Sequence, residues 1–183
     1  MHEMTAGNLR SAFGGESMAH MRYKIWADKA AKDRFTNVAR LFRAISRAEQ
    51  AHATGHFNAM ADIGGAFLVA SGGGFGLGST SENLAGAIAG ETFEINEMYP
   101  AYLEVARMQR EAAAEQSMGY AIAAERIHAD MYTRAKKAVD SGEDVELGPV
   151  HICTRCGHTI EGHLPDKCPV CGVKKELYET FAE

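Results

Sequence analysis

The sequence predicts a mainly α-helical protein, a four-helix bundle followed by a small cysteine-bearing domain of β and loop character. Three observations predict it. Glu49-Gln50-Ala51-His52 and Glu125-Arg126-Ile127-His128 are both E-x-x-H steps, which bring Glu and His onto one face of a helix. A lone glutamate precedes each step by about one helix hairpin: Glu16 to Glu49 spans 33 positions and Glu91 to Glu125 spans 34. All four cysteines lie between positions 153 and 171 of a 183-residue chain. A helix with Glu, then a helix with Glu-x-x-His, twice over, is the ligand layout of a carboxylate-bridged di-metal bundle.

Hydrophobic residues at 46% and charged residues at 23% give ample material for a packed core. The formal charge of −5, with no run of Lys or Arg, leaves no nucleic-acid footprint. No apolar run is long enough to span a bilayer. The opening Met1-His2-Glu3-Met4-Thr5 lacks the basic and apolar regions of an export signal, so the expected compartment is the cytoplasm. There a tight cysteine cluster reads as a metal site, not as a disulfide framework.

The first helix is expected over 8–33, capped by Asn8 or Thr5, with Phe13, Glu16, Ala19, His20, Tyr23 and Ala27 on one face. The second is expected over 36–63, its inward stripe passing through Leu41, Ile45, Glu49, His52, His56 and Ala59. Residues 64–81 break the pattern, with seven glycines in eighteen positions. A flexible crossover from one end of the bundle to the other fits them. Gly74-Phe75-Gly76-Leu77-Gly78 and Gly78-Ser79-Thr80 resemble nucleotide loops only superficially, since no strand precedes them and the phosphate-loop lysine is missing. The third helix is expected over 81–108, capped by Ser81 and carrying Leu84, Ile88, Glu91, Glu94, Ile95, Met98 and Tyr102. Pro100 should kink it and free a carbonyl just past the carboxylates. The fourth spans 110–140, with Met118, Ala121, Ile122, Glu125, His128 and Tyr132 inward, and ends before Ser141-Gly142. The domains are then a bundle over 1–142, a polar linker over 143–150 and a Cys domain over 151–183.

Taken singly, each Glu or His has a bland explanation in solvent or an ordinary partner. Taken together they do not, because burying four or five carboxylates costs several kcal/mol each unless they are neutralised. Arg22, Arg47, Arg107 and Arg126 all fall off the inward stripes, so two divalent metals are the expected counter-charge, and carboxylate with imidazole suits iron or manganese. The halves are not equivalent: three residues beyond Glu16 stands Ala19, whereas three beyond Glu91 stands Glu94. Glu94 is the expected fifth carboxylate, Glu97 having rotated further toward the flank. His20 and His56 are expected to support the site or the core, not to bind metal.

The stretches Gly15-Glu16-Ser17-Met18-Ala19-His20-Met21-Arg22-Tyr23, Gly90-Glu91-Thr92-Phe93-Glu94 and Met98-Tyr99-Pro100, with the two E-x-x-H steps, resemble the rubrerythrin family over nearly the whole chain. That resemblance implies a ferritin-like di-iron bundle followed by a rubredoxin-like domain, and reduction of hydrogen peroxide to water. It assigns Glu16, Glu49, His52, Glu91, Glu94, Glu125 and His128 as di-iron ligands, with Glu94 exchanging for His52 on redox change. Tyr23 and Tyr99 match tyrosines that hydrogen-bond the carboxylates; interhelical packing is their alternative role. The Gly-rich 64–81 connector departs from the family pattern by its length.

Cys153-Thr154-Arg155-Cys156-Gly157 and Cys168-Pro169-Val170-Cys171-Gly172 are two CxxC-Gly knuckles, eleven residues apart. Four thiolates at this spacing make a closed tetrahedral site that suits zinc or iron alike. Similarity to rubredoxin implies iron, hence a one-electron carrier instead of a zinc staple. The resulting expectation is a non-haem di-iron peroxidase, re-reduced through its Fe(Cys)4 centre. The chain has no nucleotide-binding domain, so an external NAD(P)H-dependent reductase or a rubredoxin would supply the electrons. The family also implies a homodimer or higher oligomer, arranged head to tail because one chain's tail would lie far from its own bundle. The alternatives are a ferroxidase or iron-sequestering protein, and a non-catalytic electron carrier.

Overall fold

The computed structural model describes residues 1–182. Four long helical segments form the bundle. Helix α1 is Glu3–Lys32 and α2 is Thr36–Ala59, together an antiparallel hairpin. The third segment is broken into α3 (Thr80–Phe93), one π-helical turn (Glu94–Met98) and α4 (Tyr99–Gln109). Helix α5 is Ala112–Asp140. The C-terminal sheet has strand order β2-β1-β3, all antiparallel, from β1 (Val150–Cys153), β2 (Thr159–Glu161) and β3 (Tyr178–Phe181).

Several local expectations change. Helix α1 begins at Glu3, with neither Thr5 nor Asn8 as its cap. The third segment is capped by Ser79, not Ser81: Ser79 and Glu82 form a reciprocal capping box. Arg110 takes a left-handed conformation (φ 58°), which ends α4 and delays α5 to Ala112. The break at Pro100 takes a specific form. Pro100 has no N–H, so the ladder cannot continue to the fourth residue back, and the Tyr99 N–H instead reaches five back to the Glu94 carbonyl. The resulting π turn begins at the residue whose carboxylate matters most for the site's asymmetry.

The crossover is an irregular strap, and it is fastened along α1. The Trp26 indole N–H donates to the Gly76 carbonyl at 3.0 Å, Arg22 donates to that of Gly74 at 3.3 Å, and the Arg10 guanidinium lies 4.4 Å from the Phe67 ring centroid. Gly14 admits the strap, since a Cβ there would sit 2.7 Å from the Val69 side chain.

The segment before β1 is tied down as well. Asp144 accepts hydrogen bonds from the backbone N–H groups of Asn37 (2.8 Å) and Val38 (3.2 Å), capping α2 from 107 and 106 positions away. Arg40 donates to the carbonyls of Leu147, Gly148 and Phe181 at 2.6, 2.9 and 3.2 Å. Val145, Val150 and Ile152 are buried in the same core cluster as Leu41, Phe42 and Ile45 of α2. Arg40→Ala should therefore weaken tail docking by about 2 kcal/mol, the scale of charge-assisted hydrogen bonds lost from half-buried carbonyls. Hydrogen exchange should quicken in β1 and β3 before it does in α1; unchanged protection of those strands would refute this.

Candidate metal centre

The helices bring six of the expected ligands together. Glu16, Glu49, His52 and Glu125 each place a ligand atom within 4.8 Å of the others, and so do Glu49, Glu91, Glu125 and His128. The two groups share Glu49 and Glu125. Glu16 and His52 complete one group, and Glu91 and His128 the other.

The imidazoles turn the same nitrogen inward. His52 Nδ1 lies 2.9 Å from both Glu49 and Glu125, and 3.9 Å from Glu16. His128 Nδ1 lies 2.8 Å from Glu125, 3.4 Å from Glu49 and 3.7 Å from Glu91. None of the six residues is more than 3% exposed. Among the described residues, no Lys or Arg pairs with these four glutamates; their ionic partners are histidines.

The site's electrostatics follow from that enclosure. Burial, then the charge of Glu91, raises the Glu49 carboxyl above the usual range, and burial with the Glu49 charge raises Glu125. Burial alone would raise Glu16 too, but His52 and His56 beside it win and hold it low. Burial acts to lower His52 and His128, yet the neighbouring carboxylates, Glu125 foremost, raise both well above an ordinary histidine. One oxygen each of Glu16, Glu49, Glu91 and Glu125 is buried without a hydrogen-bond partner. Four carboxylates with orphaned oxygens, two inward imidazoles and no cationic side chain fit a pair of hard or borderline divalent ions.

Glu94 stands apart from both groups. Burial, then the charges of Glu16, Glu125, Glu91 and Glu49, raises its carboxyl well above the ordinary range. Part of its surface borders a cavity. Glu97 is exposed.

Both tyrosines hydrogen-bond carboxylates: Tyr23 donates to Glu91 Oε1 at 2.6 Å, and Tyr99 donates to Glu16 Oε1. Tyr99 continues a longer relay. The Ser117 hydroxyl donates to His56 Nδ1 (2.9 Å), and His56 Nε2–H donates to the Tyr99 oxygen (2.8 Å). Burial lowers the His56 pKa, which suits the neutral tautomer this network requires. Ser117 borders a surface cleft of about 250 Å³. His20, by contrast, is tied to the Ser46 carbonyl at 2.7 Å.

The four cysteines converge as free thiols, with Sγ···Sγ distances of 3.6 Å for Cys153–Cys171 and for Cys156–Cys168. A tetrahedron with metal–sulfur bonds of ~2.3 Å has edges of about 3.8 Å, so the cage is close to binding size. A hydrogen bond from Cys156 brings the Cys153 thiol down to about 5, and Cys156 is raised in turn.

This cage does not lie far from its own bundle. His128 Nε2 donates to Thr159 Oγ1 at 2.8 Å, and Thr159 donates onward to the Gly157 carbonyl at 3.1 Å. His52 Nε2 lies so close to Gly157 that a Cβ there would approach it to 2.0 Å. His52 thus rests its outer nitrogen against the first cysteine knuckle of the same chain, and His128 reaches that knuckle through Thr159. The expected separation of tail and bundle within one chain is overturned by these contacts.

The sequence model described as Rubrerythrin matches residues 7–136, and that described as Rubrerythrin, rubredoxin-like domain matches residues 151–179. The chain belongs to the rubrerythrin family. Rubrerythrin-2 of Clostridium acetobutylicum is 46% identical over 178 residues, covering 97% of each chain. Nigerythrin of Nitratidesulfovibrio vulgaris is 29% identical over 177 residues, 97% of this chain and 86% of that one. The structure of fully reduced, all-ferrous nigerythrin superposes with a TM-score of 0.85 at 28% identity, covering 99% of this chain and 88% of that one. The fold is ferritin-like, with a carboxylate–histidine di-iron cluster and a rubredoxin-like four-cysteine site, and the family binds iron. No helix among the described residues is long and apolar enough to cross a membrane.

Proposed function

We propose that the chain is a peroxide reductase, reducing hydrogen peroxide to two waters with two electrons and two protons. The observation that carries this reading is the contact between the two centres. An electron carrier resting on both histidines of the metal cluster suits a site that must be re-reduced after each turnover, and an iron store has no evident use for it. Glu16, Glu49, His52, Glu91, Glu125 and His128 would hold the two irons, and Cys153, Cys156, Cys168 and Cys171 the third. Bound as a reduced pair, the irons supply the two electrons that cleave the O–O bond.

The chain's residues do the rest. His52 and His128 hold Nδ1 inward because their Nε2 atoms face the knuckle, and Thr159 fixes the orientation of His128. Protons reach Glu16 along Ser117, His56 and Tyr99 in one unbroken donor direction. Tyr23 steadies Glu91. Glu94, outside the four-residue groups but bordering the open cavity, would be the carboxylate that exchanges with His52. An external NAD(P)H-dependent reductase or a rubredoxin would reload the four-cysteine site. We read the protein as a cytoplasmic homo-oligomer, since four free thiols in one cluster belong in a reducing compartment.

Stopped-flow mixing of the fully reduced protein with peroxide tests the reading. Reoxidation should be faster with hydrogen peroxide than with dioxygen; the reverse order would favour a ferroxidase, and no reoxidation by peroxide would leave a bare electron carrier. Glu94→Ala should slow peroxide turnover while both bundle metals remain bound, and loss of metal would make Glu94 a structural ligand instead. Tyr99→Phe should cut turnover by about 10²-fold, within the range of a lost proton-transfer group, with metal content unchanged.

A further inference from the structure

We propose that the cavity beside Glu94 is a binding site for the organic group of an alkyl or aryl hydroperoxide, so that the chain reduces organic hydroperoxides as well as hydrogen peroxide. This rests on the peroxidase reading above and extends its substrate class. The cavity holds about 420 Å³ between the crossover and the third helical segment. A water molecule occupies about 30 Å³, so this is far more room than hydrogen peroxide needs, and it falls in the usual range of small-molecule pockets.

Its lining adjoins the residues of the metal cluster. Gly15 and Gly90, which line it, immediately precede Glu16 and Glu91 on facing helices, and Glu94 borders it directly. A Cβ at Gly15 would press on the crossover at Ser71 Oγ, 3.0 Å away, so glycine there leaves room between the two walls. The other four glutamates and both histidines of the cluster are almost fully buried, whereas Glu94 keeps exposed surface. Among these carboxylates, Glu94 is thus the one that borders the cavity.

The remainder of the cavity is suited to hydrocarbon. Phe93 and Met98 present apolar surface, backbone and small residues of the crossover form the opposite wall, and Arg22 and Glu94 are the charged residues of the lining. A hydroperoxide whose –OOH end reaches Glu94 would place its organic group among these residues. The reaction balances as ROOH plus two electrons and two protons giving ROH and water: the O–O bond breaks, the electrons come from the reduced metal pair, and the relay through Tyr99 supplies protons.

The test uses the full-length, iron-loaded protein. Reoxidation of the reduced protein by hydrogen peroxide and by cumene hydroperoxide would be compared in stopped flow. In parallel, binding of cumyl alcohol, the reduced product, to the resting protein would be measured by titration calorimetry. Ala89→Phe, at an exposed helical position on the cavity wall, closes the space with little demand on the fold. Cumene hydroperoxide should reoxidise the parent protein, and cumyl alcohol should bind it saturably. The substitution should abolish that binding and lower the cumene hydroperoxide rate by about tenfold more than the hydrogen peroxide rate, the scale on which an apolar pocket discriminates. If hydrogen peroxide reacts but cumene hydroperoxide does not, and no alcohol binds, the cavity proposal is overturned and the peroxidase reading stands. If hydrogen peroxide also fails to react, the peroxidase reading falls and this proposal with it.

Discussion

Gly157→Ala is expected to uncouple the four-cysteine site from the bundle, whereas Gly172→Ala is not. The two glycines occupy equivalent places after their CxxC pairs, each with φ +74° and each donating its N–H to the carbonyl of the first knuckle cysteine at 2.9 Å. Alanine in that left-handed conformation costs about 1–2 kcal/mol at either position. Their surroundings differ: a Cβ at Gly172 meets nothing within 4 Å, while one at Gly157 meets His52 Nε2 at 2.0 Å. His52 is held on its other side by Glu49 and Glu125, so the knuckle must retreat, adding about 1–3 kcal/mol of overpacking. With the tail loaded with iron, electron transfer into the oxidised bundle can be followed by the colour of the Fe(Cys)4 centre. Gly157→Ala should slow that transfer and Gly172→Ala should leave it near the parent rate. Equal effects would mean that the contact at His52 does not carry the coupling.

The second large effect concerns metal removal, which should reverse the pH dependence of stability. In the metal-free chain, Glu49, Glu94 and Glu125 have pKa values raised above their ordinary 4.5, and His52 and His128 are raised well above 6.5. Each binds protons more tightly folded than unfolded. Stability must then fall as pH rises, from about pH 4.5 upward for the carboxyls and from about pH 6.5 upward for the histidines, until the folded-state values are passed. Glu16, held low, works the other way, and its contribution is lost only as pH falls below its ordinary 4.5. Loaded protein should show the opposite trend, because metal binding requires these ligands deprotonated and strengthens as pH rises. Melting temperatures of chelated and metal-loaded protein between pH 5 and 8 should diverge with increasing pH. Parallel curves would sink the assignment of these residues as the metal's ligands.

Much of the site could be read from the chain because an α-helix converts spacing directly into position. Glu49–His52 and Glu125–His128 needed only the three-residue step, and Glu16 and Glu91 only the hairpin repeat. Other features depended on what packs against the helices. The step from Glu91 to Glu94 is helical as the spacing implied, but the π turn that starts at Glu94 changes the rotation per residue beyond it, which no spacing reveals. His56 lies on the stripe of His52, but its link to Ser117 on α5 and Tyr99 on α4 is invisible in any one segment. The docking of the cysteine knuckle on its own bundle was likewise hidden, because Asp144 and Arg40 lie more than 100 positions apart and neither belongs to a motif. The one local signal was the glycine after Cys156, read as a knuckle requirement when it also makes room for His52.

Asp144 at the start of α2 has a consequence for how the protein is put together. A cut after the last bundle helix, at the domain border expected from the sequence, would remove the cap of α2, the carbonyls that hold Arg40, and Val145, Val150 and Ile152 from the shared core. The bundle so trimmed would expose apolar surface and lose one helix terminus's satisfaction at a stroke. The tail segment thus supplies part of the structure of α2, and the metal-binding tail is part of the keel on which the helices are laid.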